Sequence, residues 1–414
     1  MLTTLRQRDF ALFWFGGLIS ITGDWVLYAA LPFYVYSRTG STLATTGMIA
    51  AELVPSILIG PFAGVFVDRW DRRRTMFVTS LVEGLIVALL LLVSVRGWLW
   101  IVYPVATLQS GLAAFFMPAE GALLPTLVST DKLVPANSLI SLNNSLARLA
   151  GPSVGGVLLG LAGFPAVVLV DSASFILGAG MIWKVRVTPR PPRNASLSGT
   201  TAAWQSFIRD LVGGLSIVRA ERSIAILFVV VGFMTFGGTM LDPLYPAFGR
   251  DVLHGGPIVF GWLLTAMALG GLLGGGVIGH MGVRIAPGEL VGWGSIGAGL
   301  LLLLLFNTRW LPLVLALAVV VGVPSAASRI GTQTLIQMRV QDSYRGRVLG
   351  LMGASGGLLS LAGASVGGGL AEVFGVIPML DMAAGLTVLA GVMALATLVH
   401  RVSASDSTGS STSS

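Results

Sequence analysis

The sequence predicts an all-α integral membrane protein: twelve transmembrane helices folded as two pseudo-symmetric six-helix bundles. Three observations carry that expectation. Of 414 residues, 54% are apolar and only 10% charged, against about 25% charged in an ordinary soluble domain, and mean hydropathy is +0.86. Apolar runs of bilayer-spanning length recur twelve times, and twelve spans of about 20 residues with short connections account for a chain of this size. A glycine-rich segment of the first half also returns half a chain later.

The spans follow from apolar runs bounded by turn or charge signals. Span 1 (10–36) opens after Arg6 and Arg8 without a small-residue cleavage site, and reads as a retained helix and not a removed signal peptide. Span 2 (44–67) stops at an arginine cluster and span 3 (75–95) starts beyond it. Spans 4 (98–124), 5 (135–161) and 6 (164–183) complete the first half. Spans 7 (223–247), 8 (257–280), 9 (286–306), 10 (310–337), 11 (346–372) and 12 (376–400) form the second. The domains are thus an N-terminal bundle (1–186), a linker (187–222), a C-terminal bundle (223–402) and a serine-rich disordered tail (403–414).

Cytoplasmic loops of membrane proteins retain Lys and Arg. With the N-terminus inside, nineteen of the 25 basic residues fall on cytoplasmic segments and four, Arg38, Arg96, Arg250 and Arg309, outside. Arg148 and Arg329 lie within spans. Both termini are therefore expected in the cytoplasm. The linker opens with the polar, proline-rich run 188–196, which cannot support a core. Its second part places Trp204, Phe207, Ile208, Leu211, Leu215 and Val218 at helical spacing with Arg209 and Arg219, the pattern of an amphipathic helix on the membrane surface.

Composition also excludes function classes. There is no cysteine, hence no disulfide framework, thiolate metal site or cysteine nucleophile. The two lysines, Lys132 and Lys184, precede Leu133 and Val185, so no phosphate-cradling Gly-Lys-Ser/Thr loop exists for ATP hydrolysis. His254, His280 and His400 lie far apart and form no zinc motif. The high pI of about 10.3 comes from loop arginines and reports membrane orientation, not nucleic-acid binding. No enzyme, metal or cofactor is expected.

Leu149-Ala-Gly-Pro-Ser-Val-Gly-Gly156 recurs half a chain later as Leu361-Ala-Gly-Ala-Ser-Val-Gly-Gly368, and the same offset sets Gly64-Val-Phe-Val-Asp68 against Gly276-Val-Ile-Gly-His280. Two parallel six-helix repeats joined by a polar linker are the architecture of carriers that rock two bundles about a midplane site. The small residues of span 5, Gly151, Gly155 and Gly156 beside Pro152, allow helices to approach closely.

The loop after span 2, Gly64-Val-Phe-Val-Asp68-Arg69-Trp70-Asp71-Arg72-Arg73-Arg74, resembles the Gly-x-x-x-Asp-Arg-x-Gly-Arg-Arg signature of the major facilitator superfamily, with Asp71 in place of its glycine. The resemblance implies a cytoplasmic gate made by Gly64, Asp68, Arg69, Arg72 and Arg73; the second copy has His280 in place of the aspartate and keeps Arg284. The Gly151-Pro152-x-x-Gly155-Gly156 core is similar to the span-5 motif of the drug:proton antiporters. Gly23-Asp24-Trp25 with Leu31-Pro32-Phe33, Phe116-Met-Pro118-Ala119, Ala136-Asn137 and Arg345-Gly346-Arg347-Val348 resemble the macrolide-efflux branch. Such a protein would work as a monomer in the plasma (inner) membrane of a bacterium.

Charges within spans are costly and mark function. They are Asp24, Glu52, Glu83, Glu120, Arg148, Asp171, Asp242, Arg329 and Asp381. Asp24, near half depth in span 1 with Tyr28 one turn on, is the leading proton carrier, with Asp242 or Glu52 beside it. Withdrawal from water favours the neutral form of a carboxylate, so proton binding can bias a conformational cycle. Trp25, Tyr28, Phe33, Phe236 and Tyr245 are expected to line a substrate pocket, with Arg148, Asp171 and Arg329 as its charged candidates and Arg148–Asp171 as an ion pair between adjacent spans. The expected function is a proton-coupled exporter of bulky amphipathic small molecules, drugs among them, drawing on a proton gradient; its partners are membrane lipids, protons and substrate. A lysophospholipid carrier using Arg148 and Arg329, a siderophore exporter and a non-transporting receptor remain as alternatives.

Overall fold

The computed structural model describes residues 2–187, 200–281, 285–340 and 342–399. Their regular elements are all helices, with no strand among the described residues. In chain order the spans are α1 (Arg8–Thr39), α2 (Thr42–Val67), α3 (Arg72–Ala88, prolonged by Leu91–Arg96), α4 (Val102–Leu127), α5 (Leu133–Leu161) and α6 (Phe164–Trp183). A linker helix, Thr200–Ala220, leads to α7 (Arg222–Leu241), α8 (Pro257–Met281), α9 (Pro287–Phe306), α10 (Leu311–Arg339), α11 (Asp342–Phe374) and α12 (Val376–Ala394, running on through Leu395–Val399). Eleven of the described helices are long and apolar enough to cross a membrane. The twelfth, α5, has the length but carries a polar stripe in its first half, Asn137, Ser141, Asn144 and Arg148.

Two compact units result. The first comprises Met1–Gly40, Gly47–Phe207 and Gly255–Thr265; the second comprises Ser41–Thr46, Ile208–His254 and Ala266–Ser414. In the first, α1 packs on α5 and α6, and α3 on α4 and α6. In the second, α7 packs on α11 and α12, and α9 on α10 and α12, the same pairing six helices later. Each unit has its own apolar core. Phe10, Phe13 and Trp14 of α1 meet Met76, Leu123 and Ile182 in one; Leu227, Val230, Val291, Leu335 and Leu398 meet in the other.

The repeated glycines explain why the pairing recurs. A Cβ at Gly155 would stand 2.4 Å from the Val26 carbonyl oxygen, and one at Gly367 would stand 2.4 Å from that of Met240. Gly151 lies as tightly against Trp25, and Gly363 against Phe236. Glycine thus lets α5 seat on α1 and α11 on α7 at backbone contact. Gly163 (φ 78°) and Gly375 (φ 91°), another pair related by the repeat, combine positive φ with extended ψ, a conformation open to glycine, at the starts of α6 and α12.

One span departs from the sequence expectation. Hydropathy predicts span 7 unbroken over 223–247, but α7 ends at Leu241. Pro243 has no N–H and crowds the preceding turn, so the chain passes through a turn at 242–244, a short helix Tyr245–Ala247 and a wide turn Phe248–Val252. The linker helix forms as the spacing of its apolar residues predicts; its Ile217 and Val218 pack on the core of the second unit, while Ile208 and Leu215 stay exposed. Gly214 reaches the backbone of Arg347, a Cβ there standing 2.7 Å from its carbonyl oxygen. The proline-rich run 188–199, the side chains of Trp204 and Phe207, Arg284 and the tail lie outside the described residues.

Candidate functional site

A cavity of about 600 Å³ lies inside the first unit. One face of α1 forms a wall, with Gly17, Ser20, Asp24, Tyr28 and Leu31 recurring every three or four residues. α4 supplies a matching stripe, Ala106, Ser110, Ala113, Met117 and Glu120. Glu52 comes from α2, Glu83 from α3, Asn143 and Asn144 from α5, and Phe175 from α6. Three contacts fix these walls. Trp14 Nε1 donates to the Leu139 carbonyl at 2.9 Å, and Asn143 Nδ2 donates to the Trp14 carbonyl at 3.0 Å, tying α1 to α5. Ser172 Oγ donates to the Gly84 carbonyl at 2.7 Å, holding α3 against α6 one residue from Glu83.

The lining is acidic and aromatic. Asp24, Glu52, Glu83 and Glu120 all face the cavity, and among the described residues no basic side chain does. Among the described residues none of Asp24, Glu83, Glu120 or Asp171 has an ion-pair partner. Asp24 lies within electrostatic reach of Glu52, Glu83 and Asp171, and Glu83 within that of Asp171. Trp25 and Tyr28 meet edge to face, ring centres 4.9 Å apart, on the same wall. Such a surface suits an amphipathic cation or a proton in place of one.

Of the residues singled out from the sequence, the cavity gathers Asp24, Glu52, Trp25 and Tyr28. Glu83 and Glu120, which the sequence shows as intramembrane charges without tying them to the site, also line it. The signal for Glu83 is periodicity, since it continues the buried stripe Thr75, Met76, Thr79, Ser80 of α3 and is only 4% exposed. Phe33 does not reach the cavity lining; it is buried and stacks on Phe260 at 5.3 Å.

The expected Arg148–Asp171 ion pair does not form. Asp171 is fully buried against Gly23 of α1, where Ser174 Oγ lies 3.5 Å from Oδ1 and Oδ2 has no partner. Arg148 points elsewhere on α5 and lies over the Trp25 ring at 5.7 Å. Adjacent helices do not place two residues together unless their rotations agree.

The remaining candidates lie in the second unit or at the loop. Asp242 sits half-buried at the break after α7, Phe236 is half-buried beside Gly363, and Tyr245 packs 6.3 Å from Phe306. Arg329 is exposed on α10. At the α2–α3 loop, the Gly64 carbonyl accepts the Asp68 N–H at 3.0 Å, and Asp68 and Arg69 are exposed. Arg72 donates to the Ala122 carbonyl at 3.0 Å, while Arg73 donates to that of Val185 at 2.8 Å and covers Trp183. Asp71 caps α3 by accepting the Arg74 N–H at 2.7 Å, which gives this substitution of the usual glycine a local role.

Known proteins agree with this architecture. The profile of the transmembrane secretion effector family matches residues 1–413. Macrolide efflux protein A of Streptococcus pyogenes is 26% identical over 363 residues, 86% of this chain and 87% of that protein. Multidrug efflux pump Tap of Mycobacterium tuberculosis is 26% identical over 351 residues, 82% and 81% of the two chains. Among solved structures, the nucleoside transporter NupG superposes with a TM-score of 0.75 at 12% identity, covering 94% of this chain and 99% of that one. That last likeness speaks for the fold alone. The chain is a multi-pass membrane transporter of the major facilitator superfamily and belongs to its transmembrane secretion effector family.

Proposed function

We propose that this transporter is a proton-coupled exporter of bulky amphipathic small molecules, with a preference for cationic or zwitterionic ones, working by alternating access. It resides as a monomer in a bacterial plasma membrane with both termini in the cytoplasm, as the concentration of basic residues on one set of loops supports. The observation that carries the reading is the cavity of the first unit: four carboxylates, two ring-bearing residues in edge-to-face contact and, among the described residues, no basic side chain. Asp24 binds the proton, with Glu52 beside it or Asp242 in the second unit sharing the task. Neutralising a carboxylate in a low-dielectric site changes its electrostatic energy steeply, and a group that holds its proton better in one conformation than another couples the proton gradient to the cycle. The relatives described as macrolide and multidrug efflux proteins support export of such compounds.

The test is purified protein in proteoliposomes with an imposed pH gradient and the cationic ethyl ester of rhodamine B. Wild type is expected to move the dye against its gradient and to stop when nigericin collapses the pH difference. Asp24→Asn is expected to lose gradient-driven transport by about tenfold or more. Equal transport by both at every pH removes Asp24 from the mechanism. A lysophospholipid carrier is the second reading, favoured by the exposed arginines Arg148 and Arg329 within spans; charge reversal there would then abolish lipid movement and spare dye export.

A further inference from the structure

Arg148 stands near the middle of α5, a membrane-spanning helix, and is exposed. Among the described residues it has neither a carboxylate partner nor a hydrogen bond, only the face of Trp25 at 5.7 Å. A guanidinium carries five N–H donors in a planar fork, and at mid-span those donors need water or an anion. Its place is fixed by its neighbours. Trp25 is pinned by Gly151, where an added Cβ would lie 2.3 Å from the Trp25 Cβ. Trp25 also lines the acidic cavity, and so does Asn144, one turn from Arg148 on the same face of α5. One indole therefore joins a wall of four carboxylates to a lone guanidinium whose fork is open.

We infer that Arg148, with Asn144 and the Trp25 face, is a subsite for an oxyanion of the substrate, so that the transporter selects amphipathic zwitterions over simple cations. The substrate lays its cationic part among Asp24, Glu52, Glu83 and Glu120 and its apolar body on Trp25 and Tyr28. Its carboxylate or phosphate takes a bidentate pair of hydrogen bonds from Arg148. This deepens the proposed function and rests on its reading of the cavity as the substrate site.

Two dyes of one scaffold test it: rhodamine B, a zwitterion with a free carboxylate, and its ethyl ester, a cation. Equilibrium binding is measured to the purified full-length protein in detergent. Wild type is expected to bind rhodamine B at least as tightly as the ester. Arg148→Gln should weaken rhodamine B by about tenfold or more while the ester changes less than about twofold, and Arg148→Lys should recover part of the loss. Equal weakening of both dyes marks Arg148 as merely structural and overturns the subsite. A wild-type preference for the ester of about tenfold or more overturns it without any variant. If wild type binds neither dye, the cavity reading itself falls, a result distinct from loss of selectivity. Displacement of rhodamine B by lysophosphatidylcholine from wild type supports the subsite with a lipid headgroup as the source of the oxyanion. Rhodamine B binding that lysophosphatidylcholine leaves intact supports it with a small-molecule carboxylate.

Discussion

At Gly155 an added methyl group would meet the Val26 carbonyl oxygen at 2.4 Å, whereas at Gly64 it would meet nothing within 4 Å. The first obstacle is backbone and cannot rotate away; the second site offers open space. Gly155→Ala is therefore expected to push α1 from α5, costing about 1–3 kcal/mol, and to lower the melting temperature of the detergent-solubilised protein. Gly64→Ala should melt no lower than wild type, since alanine is the better helix former by about 1 kcal/mol. A melting temperature unchanged by Gly155→Ala would show that the glycine contact is not what seats the helices. Residue identity makes this contact legible, because a Gly-Pro-x-x-Gly-Gly run in an apolar span has few uses. It does not show where buried charges point. Arg148 and Asp171 look like partners from the order of their helices, yet Asp171 faces Gly23 and Arg148 faces Trp25.

The helix that carries this run exposes two different faces. Asn137, Ser141, Asn144 and Arg148 form one stripe, and Leu142 and Leu146 lie on the opposite side, while Ala136, Leu139, Asn143 and Ala147 between them are buried. Lipid can cover leucines, but a polar stripe within a bilayer must face water or protein. The first half of α5 is thus expected to border a hydrated path on one side and acyl chains on the other. The chain contains no cysteine, so single cysteines can be introduced without a background. In proteoliposomes, Ser141→Cys and Asn144→Cys should react with a charged methanethiosulfonate reagent, and Leu146→Cys should be protected. Equal reactivity at all three would place the stripe elsewhere than against water. The same mixed surface keeps α5 from standing with the eleven helices that are apolar enough to cross a membrane, although its length and its glycines announce it. Span 7 shows the opposite failing: hydropathy alone runs past Asp242, and the break emerges only when Pro243 is given its geometric weight.

Across the molecule, architecture is repeated and chemistry is not. The helix pairing of the first unit recurs six helices later, and glycines half a chain apart make the same close contacts. That much is legible in the sequence, because packing depends on small residues at fixed spacing. The acids do not follow the repeat. Four converge on the cavity of the first unit, and Asp171 has Ala383 as its counterpart in the second copy. In the second unit Asp242 stands at the break of α7, and Asp381 accepts an amide hydrogen bond from Asn307 at 2.8 Å. Sequence depth puts Asp24 first, with Asp242 or Glu52 after it, and leaves Glu83 aside, since distance across a bundle cannot be read from a linear pattern. Convergence suggests a different division of labour. Carboxylates that share one cavity raise or lower one another's proton affinity, so the loss of any member should alter the pH dependence of the others, while an acid outside the group should act independently. Glu83→Gln is accordingly expected to shift the pH midpoint of dye transport and to make the effect of Asp24→Asn non-additive by about 0.5–3 kcal/mol in a double-mutant cycle. Asp242→Asn should combine additively with Asp24→Asn. Additivity of Glu83→Gln with Asp24→Asn, together with strong coupling between Asp24 and Asp242, would move the proton-handling centre out of the first unit.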